Sequence, residues 1–460
     1  MNLLEYDLLV SWLYKEGVNS TEFILKWINE QNTNLEVRID KVALEQSDFW
    51  FYKDGLITNK SKSFFSISGI EQYQNGVLLN EQPIIIQQEV GLLGIICKKV
   101  NGIIHFLMQA KIEPGNINKV QISPTIQATK SNFSQKHGGS QPAFLEYFLN
   151  AKQHHILVDQ IQSEQSSRFY KKRNRNIVLY VTDHIVEPST HKWMTLGQIK
   201  ALMRYDNLVN MDTRTVLSCI PFLCMKIEEQ FIREITNQCN DESLLRSINA
   251  PVVSSEIKRI YSFFNDYKMF NEKETQLKDL YTLNGWRMED NEFISYAPFP
   301  FKVIFCNVLI EGREVRKWNQ PLLEAKGIAT FGLLCCEDDG VKKFLTKATS
   351  EIGCFDGIEL GPTVQHEETN EIENDEISTL FYKKLAAKNG IIIDVLLSEE
   401  GGRFYYEQNR NVIIQLEKDE IPSKLPPGYF WCNYKTLNTL TQINNCLNIQ
   451  LRNLLSLLEV

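Results

Sequence analysis

The sequence lacks the short motifs by which many enzymes bind nucleotides or metals. It has no GxxxxGK[ST] phosphate loop, no GxGxxG dinucleotide fingerprint, no HExxH helix and no GxSxG nucleophile turn. Its ten cysteines form no CxxC pair, and its seven histidines are scattered, so the spacing of a zinc site is absent. No apolar run approaches the roughly 20 residues of a membrane span, and the amino terminus has no basic region typical of a secretory signal. P-loop, Rossmann, zinc-protease and membrane-spanning classes are therefore disfavoured.

The composition is ordinary for a soluble globular protein. The chain has 460 residues, of which 43% are hydrophobic and 23% are charged, a length that suits roughly two to four domains. A net charge of −8 argues against a general binder of nucleic acid or of anionic membranes. Cysteines lie in apolar segments such as GIICKK and SCIPFLCM, which is typical of buried, reduced thiols. We therefore expect a cytoplasmic protein.

The chain contains two copies of one module. The segment 82–127 aligns without a gap on 320–365, an offset of 238 residues. Glycines, a glutamate and a Pro-Thr pair recur in register, and each copy has an Asn-Gly or Asp-Gly pair between two apolar runs. Downstream, SEQSSRFYKKRNRNIVLYV matches SEEGGRFYYEQNRNVIIQL, and NLVNMDTRTVLS matches NCLNIQLRNLLS. One register over so many blocks indicates a tandem duplication.

The pattern predicts an α+β fold in each copy. Asn-Gly and Asp-Gly favour type I′ hairpins, because both central residues need a positive φ. Further strands and helices follow, including a helical stretch over 195–223 with Asp212 placed like a cap. We expect mixed or antiparallel sheets with flanking helices. The predicted organisation is a first module at 1–225, a helical linker at 226–255 and a second module at 256–460.

With the common nucleotide-binding and metal-binding motifs absent, the chain still contains residue types suited to recognising phosphate and a nucleotide base. Lys111, Lys130, Arg168 and Arg403 can bind phosphate oxygens, although a repeated arginine also fits a structural ion pair. Trp50 and Trp286 can stack on a base or lie in the core, and the sequence does not choose. The polar stretch 109–132 follows a hairpin strand, where loops often build sites. Its donors and acceptors include Thr125, Gln127, Thr129, Ser131 and Asn132.

These motifs resemble the nucleoside-diphosphate-hexose 2,3-dehydratase family of deoxysugar biosynthesis. FLMQAKIEPGN, VQISPTIQATKSN and HGG carry the resemblance in the first half, and ELGPTVQ and GGRFYYEQNRN carry it in the second. The resemblance implies a homodimer. It implies that each half of the chain is a Nudix-like module able to hold a dTDP-sugar. It also implies a hydro-lyase that dehydrates dTDP-4-keto-6-deoxyglucose without any cofactor. A downstream 3-ketoreductase would act on the unstable product. The metal-binding box of Nudix hydrolases is not found.

The resemblance also suggests where the ligands bind. In the second half, Lys347 stands where the family tends to place an arginine, which keeps the charge and loses the fork. The expected first pocket contains Trp50, Thr129, Lys130, Ser131, Asn132, Phe133 and Ser167, with Arg168 nearby. The expected second pocket contains Trp286, Lys347, Thr363, Val364, Gln365, Gly402, Arg403, Phe404 and Tyr405.

Glu113, beside Lys111 in the first-half motif, is a candidate base for proton abstraction next to the ketone. The recurrence of Glu351 at the matching position favours an anchoring role for the carboxylate in both copies. His137 and Tyr170 are the next candidates for the base. Two other functions stay open from the residues alone: a non-catalytic nucleotide-sugar binder and a Nudix-type pyrophosphohydrolase.

Overall fold

The structure is a computed structural model that assigns both halves of the chain to mixed α and β structure. It describes residues 3–33, 35–61, 63–129, 141–222, 239–311, 315–422 and 424–460. The predicted ligand or catalytic residues Lys130, Ser131, Asn132, Phe133 and His137 lie outside the described residues, as does the first part of the expected linker.

The first half begins with two helices and continues mainly with strands. The helices are α1 Leu3–Leu13, α2 Thr21–Thr33, α3 Leu145–Leu149, α4 Leu196–Leu202 and α5 Met211–Ser218. The strands are β1 Val37–Lys41, β2 Trp50–Lys53, β3 Leu56–Asn59, β4 Ser66–Gln74, β5 Val77–Ile86, β6 Gly91–Val100, β7 Ile103–Ile112, β8 Val120–Ser123, β9 Ile126–Ala128, β10 His155–Ser163, β11 Arg173–Tyr180 and β12 His191–Thr195.

The second half repeats this order after two connecting helices. Its helices are α6 Glu242–Asn249, α7 Ser254–Phe270, α8 Glu376–Ala386, α9 Tyr434–Thr441 and α10 Ile449–Ser456. Its strands are β13 Lys273–Lys278, β14 Trp286–Glu289, β15 Glu292–Ser295, β16 Phe301–Ile310, β17 Lys317–Ala325, β18 Thr330–Asp338, β19 Val341–Thr349, β20 Glu359–Gly361, β21 Val364–His366, β22 Ile391–Ser398, β23 Phe404–Tyr405, β24 Gln408–Gln415 and β25 Tyr429–Asn433.

Each half has a seven-stranded mixed sheet of the same topology, which confirms the duplication. The first has the order β10-β11-β6-β7-β12, with β8 beside β7 and β9 beside β6. The second has the matching order β22-β24-β18-β19-β25, with β20 and β21 in the equivalent places. The predicted hairpins join β6 to β7 and β18 to β19. Their turn residues have positive φ, at 51° and 84° for Asn101 and Gly102 and at 50° and 75° for Asp339 and Gly340.

The two halves exchange a strand through their second pair of sheets. Strand β1 of the first half pairs antiparallel with β16, at the edge of the sheet that contains β14–β17 and β23. Reciprocally, β13 of the second half pairs antiparallel with β4, in the sheet of β2–β5. Each half therefore completes a sheet of the other.

The helical stretch expected at 195–223 is divided, which corrects the prediction. Helix α4 ends at Leu202 and α5 begins at Met211. The N-cap of α5 is Asn210, whose side chain accepts the amide of Thr213, so Asp212 lies inside the helix and is not its cap. Asn448 caps α10 in the same way. Helices α5 and α10 are buried along their full length and contact each other between the halves.

The helices and cysteines of the described residues have two further features. Among the described helices, none combines the length and the apolar character that crossing a bilayer requires. The cysteines in the described ranges are free, and all of them except Cys239 are buried.

Candidate functional site

Two loops, which we call the arginine loops, connect the halves of the molecule. They are residues 164–172, between β10 and β11, and residues 399–407, between β22 and β24. The base of each loop is closed by a main-chain hydrogen bond, from Glu164 N to Lys172 O (3.0 Å) and from Glu399 N to Glu407 O (3.1 Å). The tip of each loop, which carries Arg168 or Arg403, reaches into the opposite half.

Glycines allow the arginine loops to contact the opposite sheet closely. Gly115 N donates to Gly401 O (2.7 Å), and Gly353 N donates to Ser166 O (2.9 Å). A Cβ atom on Gly115 would lie 1.5 Å from Phe404 O, and one on Gly353 would lie 2.1 Å from Phe169 O. Only glycine fits such an approach, which explains why both copies of the polar segment contain glycine at this position.

A first polar cluster forms where the 399–407 loop meets the first-half sheet. It consists of Lys111, Glu113, Glu164, Lys172, Asp212, Glu400 and Arg403. Lys111 Nζ lies 3.2 Å from Glu113 Oε1, and Lys172 Nζ donates to Glu89 O (2.5 Å). Arg403 Nη2 donates to Gln87 Oε1 (3.3 Å). The cluster therefore combines side chains from both halves.

Burial and neighbouring charges raise the pKa values of three carboxyls of the first cluster and lower that of one lysine. Burial and the nearby Glu400 raise the pKa of Glu164 to about 7. Burial and the Glu113 carboxylate raise the pKa of Glu400 to about 7. Burial, with Glu164 and Glu400 close by, raises the pKa of Asp212 well above its usual range. Burial lowers the pKa of Lys172 to about 8. Groups of this kind suit acid–base chemistry.

A second polar cluster forms at the equivalent place in the other half. It consists of Arg168, Glu351, Glu367, Glu399 and Glu407. Arg168 Nη2 lies 2.7 Å from Glu367 Oε1. Burial raises the pKa of Glu351 to about 7 and that of Glu407 to about 8. This cluster contains fewer cations than the first one, because Thr349 and Glu407 stand where the first half has Lys111 and Lys172.

Several buried polar atoms in the first cluster, and one on the neighbouring Asn116, have no hydrogen-bond partner among the described residues. They are Asn116 Oδ1, Glu164 Oε1, Asp212 Oδ2 and Arg403 Nε. Buried polar atoms are usually satisfied, because leaving one unpaired costs about 1–3 kcal/mol. A polar ligand or ordered water entering this cluster would satisfy them.

The two tryptophans lie in the core and not at an exposed stacking surface. Trp50 is 3% exposed and its Nε1 donates to Asn319 O (2.6 Å), while Trp286 is 5% exposed and its Nε1 donates to Glu81 O (3.2 Å). Each tryptophan contacts a phenylalanine ring, and an arginine guanidinium lies over that phenylalanine ring. Arg403 lies 4.2 Å from the ring centre of Phe65, and Arg168 lies 4.5 Å from that of Phe301. Of the two interpretations of these tryptophans, the structure favours the core.

The residues that were expected in the second pocket lie in more than one place in the structure. Lys347 pairs with Glu373, and Gln365 Nε2 donates to Glu351 Oε1 (2.6 Å). A polar cleft beside them is lined by Val364, Gln365, His366, Asn370, Glu371, Glu373, Ser378 and Tyr382. Thr363 is buried, and its hydroxyl donates to Leu345 O and accepts from Leu334 N, so it joins strands rather than facing a ligand.

The arginine loops contact both halves of the molecule. Arg403 Nη2 donates to Gln87 Oε1 of the first half (3.3 Å), whereas Phe404 and Tyr405 pair with β17 of the second half and Gly402 O accepts from Gln320 Nε2 (2.7 Å). Conversely, Arg168 contacts Glu367 of the second half. Ser167 O accepts from Gln82 Nε2 (2.7 Å). Neighbouring residues of one arginine loop, such as Glu399 and Glu400, therefore belong to different polar clusters.

The other expected site residues have identifiable places. Thr129 follows β9 and is partly buried. Tyr170 is partly buried, with Lys171 Nζ 5.1 Å from its ring centre. Tyr405 lies near Lys41 and Tyr406, and burial raises its pKa to about 12.

The sequence reasoning did not identify Glu164, Lys172, Asp212 and Glu400 as site residues. A signal was present, because all four fall within the repeated blocks that start at Ser163, Asn207, Ser398 and Asn445. Comparing the two copies position by position for changes of charge would have revealed three of them, since Lys172, Asp212 and Glu400 face Glu407, Gln450 and Gln165 in the alignment.

Comparisons with known proteins agree with this layout. The profile of the NDP-hexose 2,3-dehydratase family matches residues 21–220 and 257–458. A dTDP-4-dehydro-6-deoxy-alpha-D-glucopyranose 2,3-dehydratase of Saccharopolyspora spinosa is 35% identical over 449 residues, which cover 96% of this chain and 92% of the relative. Enzymes with the same name from Amycolatopsis orientalis and Streptomyces violaceoruber are 32% and 33% identical, over 95% and 94% of this chain and 89% and 95% of theirs.

Proposed function

The chain belongs to the NDP-hexose 2,3-dehydratase family, and we propose that its reaction is the 2,3-dehydration of dTDP-4-keto-6-deoxy-D-glucose in deoxysugar biosynthesis. The observation that carries this proposal is similarity to enzymes of that name over 94% or more of the chain, with both halves included. The chain is therefore a carbon–oxygen lyase.

The chemistry requires acid–base groups and no transfer of hydride. The ketone at carbon 4 acidifies the hydrogen on carbon 3, and removing that proton places negative charge on the carbon 4 oxygen. The hydroxyl on carbon 2 then leaves with a proton and becomes water. The enol that results tautomerises to a 3,4-diketo-2,6-dideoxy sugar. Glu164 and Glu400 of the first cluster, each with a pKa raised to about 7, suit proton transfer near neutral pH.

The cations of the first cluster support binding of the diphosphate and the enolate there. Lys111, Lys172 and Arg403 bring three positive charges to a site shielded from water, where such charges interact more strongly than in bulk solvent. The second cluster and the cleft beside Gln365 form the other candidate nucleotide-sugar pocket, with Arg168 and Lys347 as its cations. The Nudix-like character of each half, the homodimer, the cytoplasmic location and the coupling to a 3-ketoreductase belong to the same proposal.

Mass spectrometry of the purified protein with dTDP-4-keto-6-deoxyglucose tests the function. We expect a product lighter than the substrate by one water, with the dTDP group intact. The same reaction with a chelator, and with added divalent cations, distinguishes a dehydratase from a metal-dependent pyrophosphohydrolase. Binding of the sugar nucleotide without loss of water would contradict the proposal and indicate a non-catalytic binder. Release of phosphate-containing fragments would indicate a hydrolase.

A further inference from the structure

Two carboxyls of the first cluster have the same partners as their counterparts in the second. Glu113 accepts from Gln127 Nε2 at 3.0 Å, as Glu351 accepts from Gln365 Nε2 at 2.6 Å. Glu164 accepts from Asn174 Nδ2 at 2.5 Å, as Glu399 accepts from Asn409 Nδ2 at 2.6 Å. Contacts repeated in both halves are expected of residues that maintain the fold of the repeat.

The other two carboxyls occur in the first cluster alone. Asp212 aligns with Gln450, and Glu400 aligns with Gln165. An amide is close to a carboxyl in shape, yet it cannot take up or release a proton near neutral pH. At these two positions the copies of the repeat therefore differ in proton chemistry. Glu400 and Gln165 have the same length, whereas Gln450 is one methylene longer than Asp212.

Asp212 and Glu400 are placed so that they can act on one bound molecule. Asp212 is 2% exposed, and its Oδ2 has no hydrogen-bond partner among the described residues. Glu164, Glu400, Glu113 and Lys111 face it.

Glu400 is partly exposed near the base of the 399–407 arginine loop, and its Oε1 accepts from Gly402 N at 3.1 Å. Glu113, Arg403, Lys111 and Lys172 face it. A ligand in the first cluster would thus lie between a deeply buried carboxyl and a more accessible one.

We propose that the first cluster is the dehydration centre, with Glu400 removing the proton from carbon 3 and Asp212 protonating the hydroxyl that leaves carbon 2. This assignment rests on the proposed function. The Glu400 carboxylate forms an O–H bond as the C3–H bond breaks, and the electron pair moves onto the carbon 4 oxygen. The carbonyl at carbon 4 then re-forms, the C2=C3 double bond of the enol forms as the C2–O bond breaks, and the Asp212 proton completes the water molecule.

The reaction leaves Glu400 protonated and Asp212 ionised, so one proton must return before the next cycle. Glu164 faces both residues and provides a route for it. Burial and its acidic neighbours raise the pKa of Asp212, which keeps it protonated before the reaction. The pKa of Glu400, about 7, suits a base at neutral pH.

Two amide substitutions separate the two steps. Glu400→Gln and Asp212→Asn should fold, because the other copy of the repeat already has an amide at each equivalent position, Gln165 and Gln450. We expect each substitution to lower kcat by about 10²–10⁴-fold, with little change in dTDP affinity. In heavy water, NMR should show that Asp212→Asn still exchanges the carbon 3 hydrogen of unreacted substrate, whereas Glu400→Gln does not.

Controls keep this assignment distinct from the proposed function. Asp159→Asn, which alters a surface pair with Arg175 (2.6 Å), should retain normal turnover. If the unaltered protein fails to dehydrate the sugar, the proposed function is wrong. If the unaltered protein dehydrates the sugar and both amide variants retain turnover near normal, the assignment of Glu400 and Asp212 is wrong.

Loss of carbon 3 exchange in Glu113→Gln, with exchange retained in Glu400→Gln, would also overturn the assignment. If Asp212→Asn is unstable, Asp212→Gln, which introduces the amide present at 450, is measured in its place.

Discussion

Gly115 donates its amide hydrogen to the carbonyl oxygen of Gly401 across 2.7 Å, and this bond joins the sheet of one half to the arginine loop of the other. The bond requires the two main chains to approach more closely than a side chain permits. The shape of the first cluster therefore depends on the absence of a methyl group at position 115.

Gly115→Ala should destabilise the protein strongly. The new Cβ would lie 1.5 Å from Phe404 O, a main-chain atom, so backbone must move. Overpacking of this kind costs about 1–3 kcal/mol or more, measured as the free energy of unfolding in urea. Gly285→Ala is the matched control, because its nearest contact is the end of the flexible Glu81 side chain at 2.9 Å. Equal stability of the two variants would contradict the close approach.

Glu113→Gln should reduce stability and leave turnover almost unchanged. The carboxylate accepts from Gln127 and pairs with Lys111 (3.2 Å), as expected of a loop anchor. Weakening these contacts should cost about 1 kcal/mol of unfolding free energy. Abolished dehydration in a folded Glu113→Gln variant that still binds dTDP would instead identify Glu113 as the base.

Lys111 and Arg403 should act on one nucleotide site, although they come from different halves. Calorimetric titration with dTDP should give up to two sites per chain. Lys111→Met and Arg403→Gln should weaken the same site, and their combination should be non-additive, since both contact one ligand. Arg168→Gln should affect the other site. The assignment of Arg403 to the same site as Lys111 is wrong if Arg403→Gln weakens the site that Lys347→Met weakens.

The contribution of Glu351 to stability should fall as pH rises. Its folded-state pKa, about 7, lies above the usual value of 4.5 because the side chain is buried. The folded state therefore binds the proton more tightly, and this stabilisation is complete below pH 4.5 and is lost as pH rises through 7. Relative to Glu351→Gln, the unaltered protein should lose roughly 2–3 kcal/mol of unfolding free energy over this range. A difference that is constant with pH would contradict the raised pKa.

Local features of the fold were predictable from the sequence, whereas the pairing of the halves was not. Asn101-Gly102 and Asp339-Gly340 specify their hairpins through positive φ at adjacent residues, and the shared register specifies the repeated topology. By contrast, the spacing of Arg168 and Arg403 in the sequence is the same whether each loop contacts its own half or the opposite one. The environment of Trp50 and Trp286 was open for a related reason, since the indole of each residue lies against the opposite half, where it donates to Asn319 O or to Glu81 O.

The exchange of β1 and β13 is the arrangement that two identical chains would form as a symmetric dimer. In such a dimer every residue of a composite site occurs twice, so a change that improves one site alters the other in the same way. Once both modules lie in one chain, this constraint is removed. A carboxyl can then stand at 212 and an amide at 450, and the two sites can specialise while the scaffold that both need is preserved.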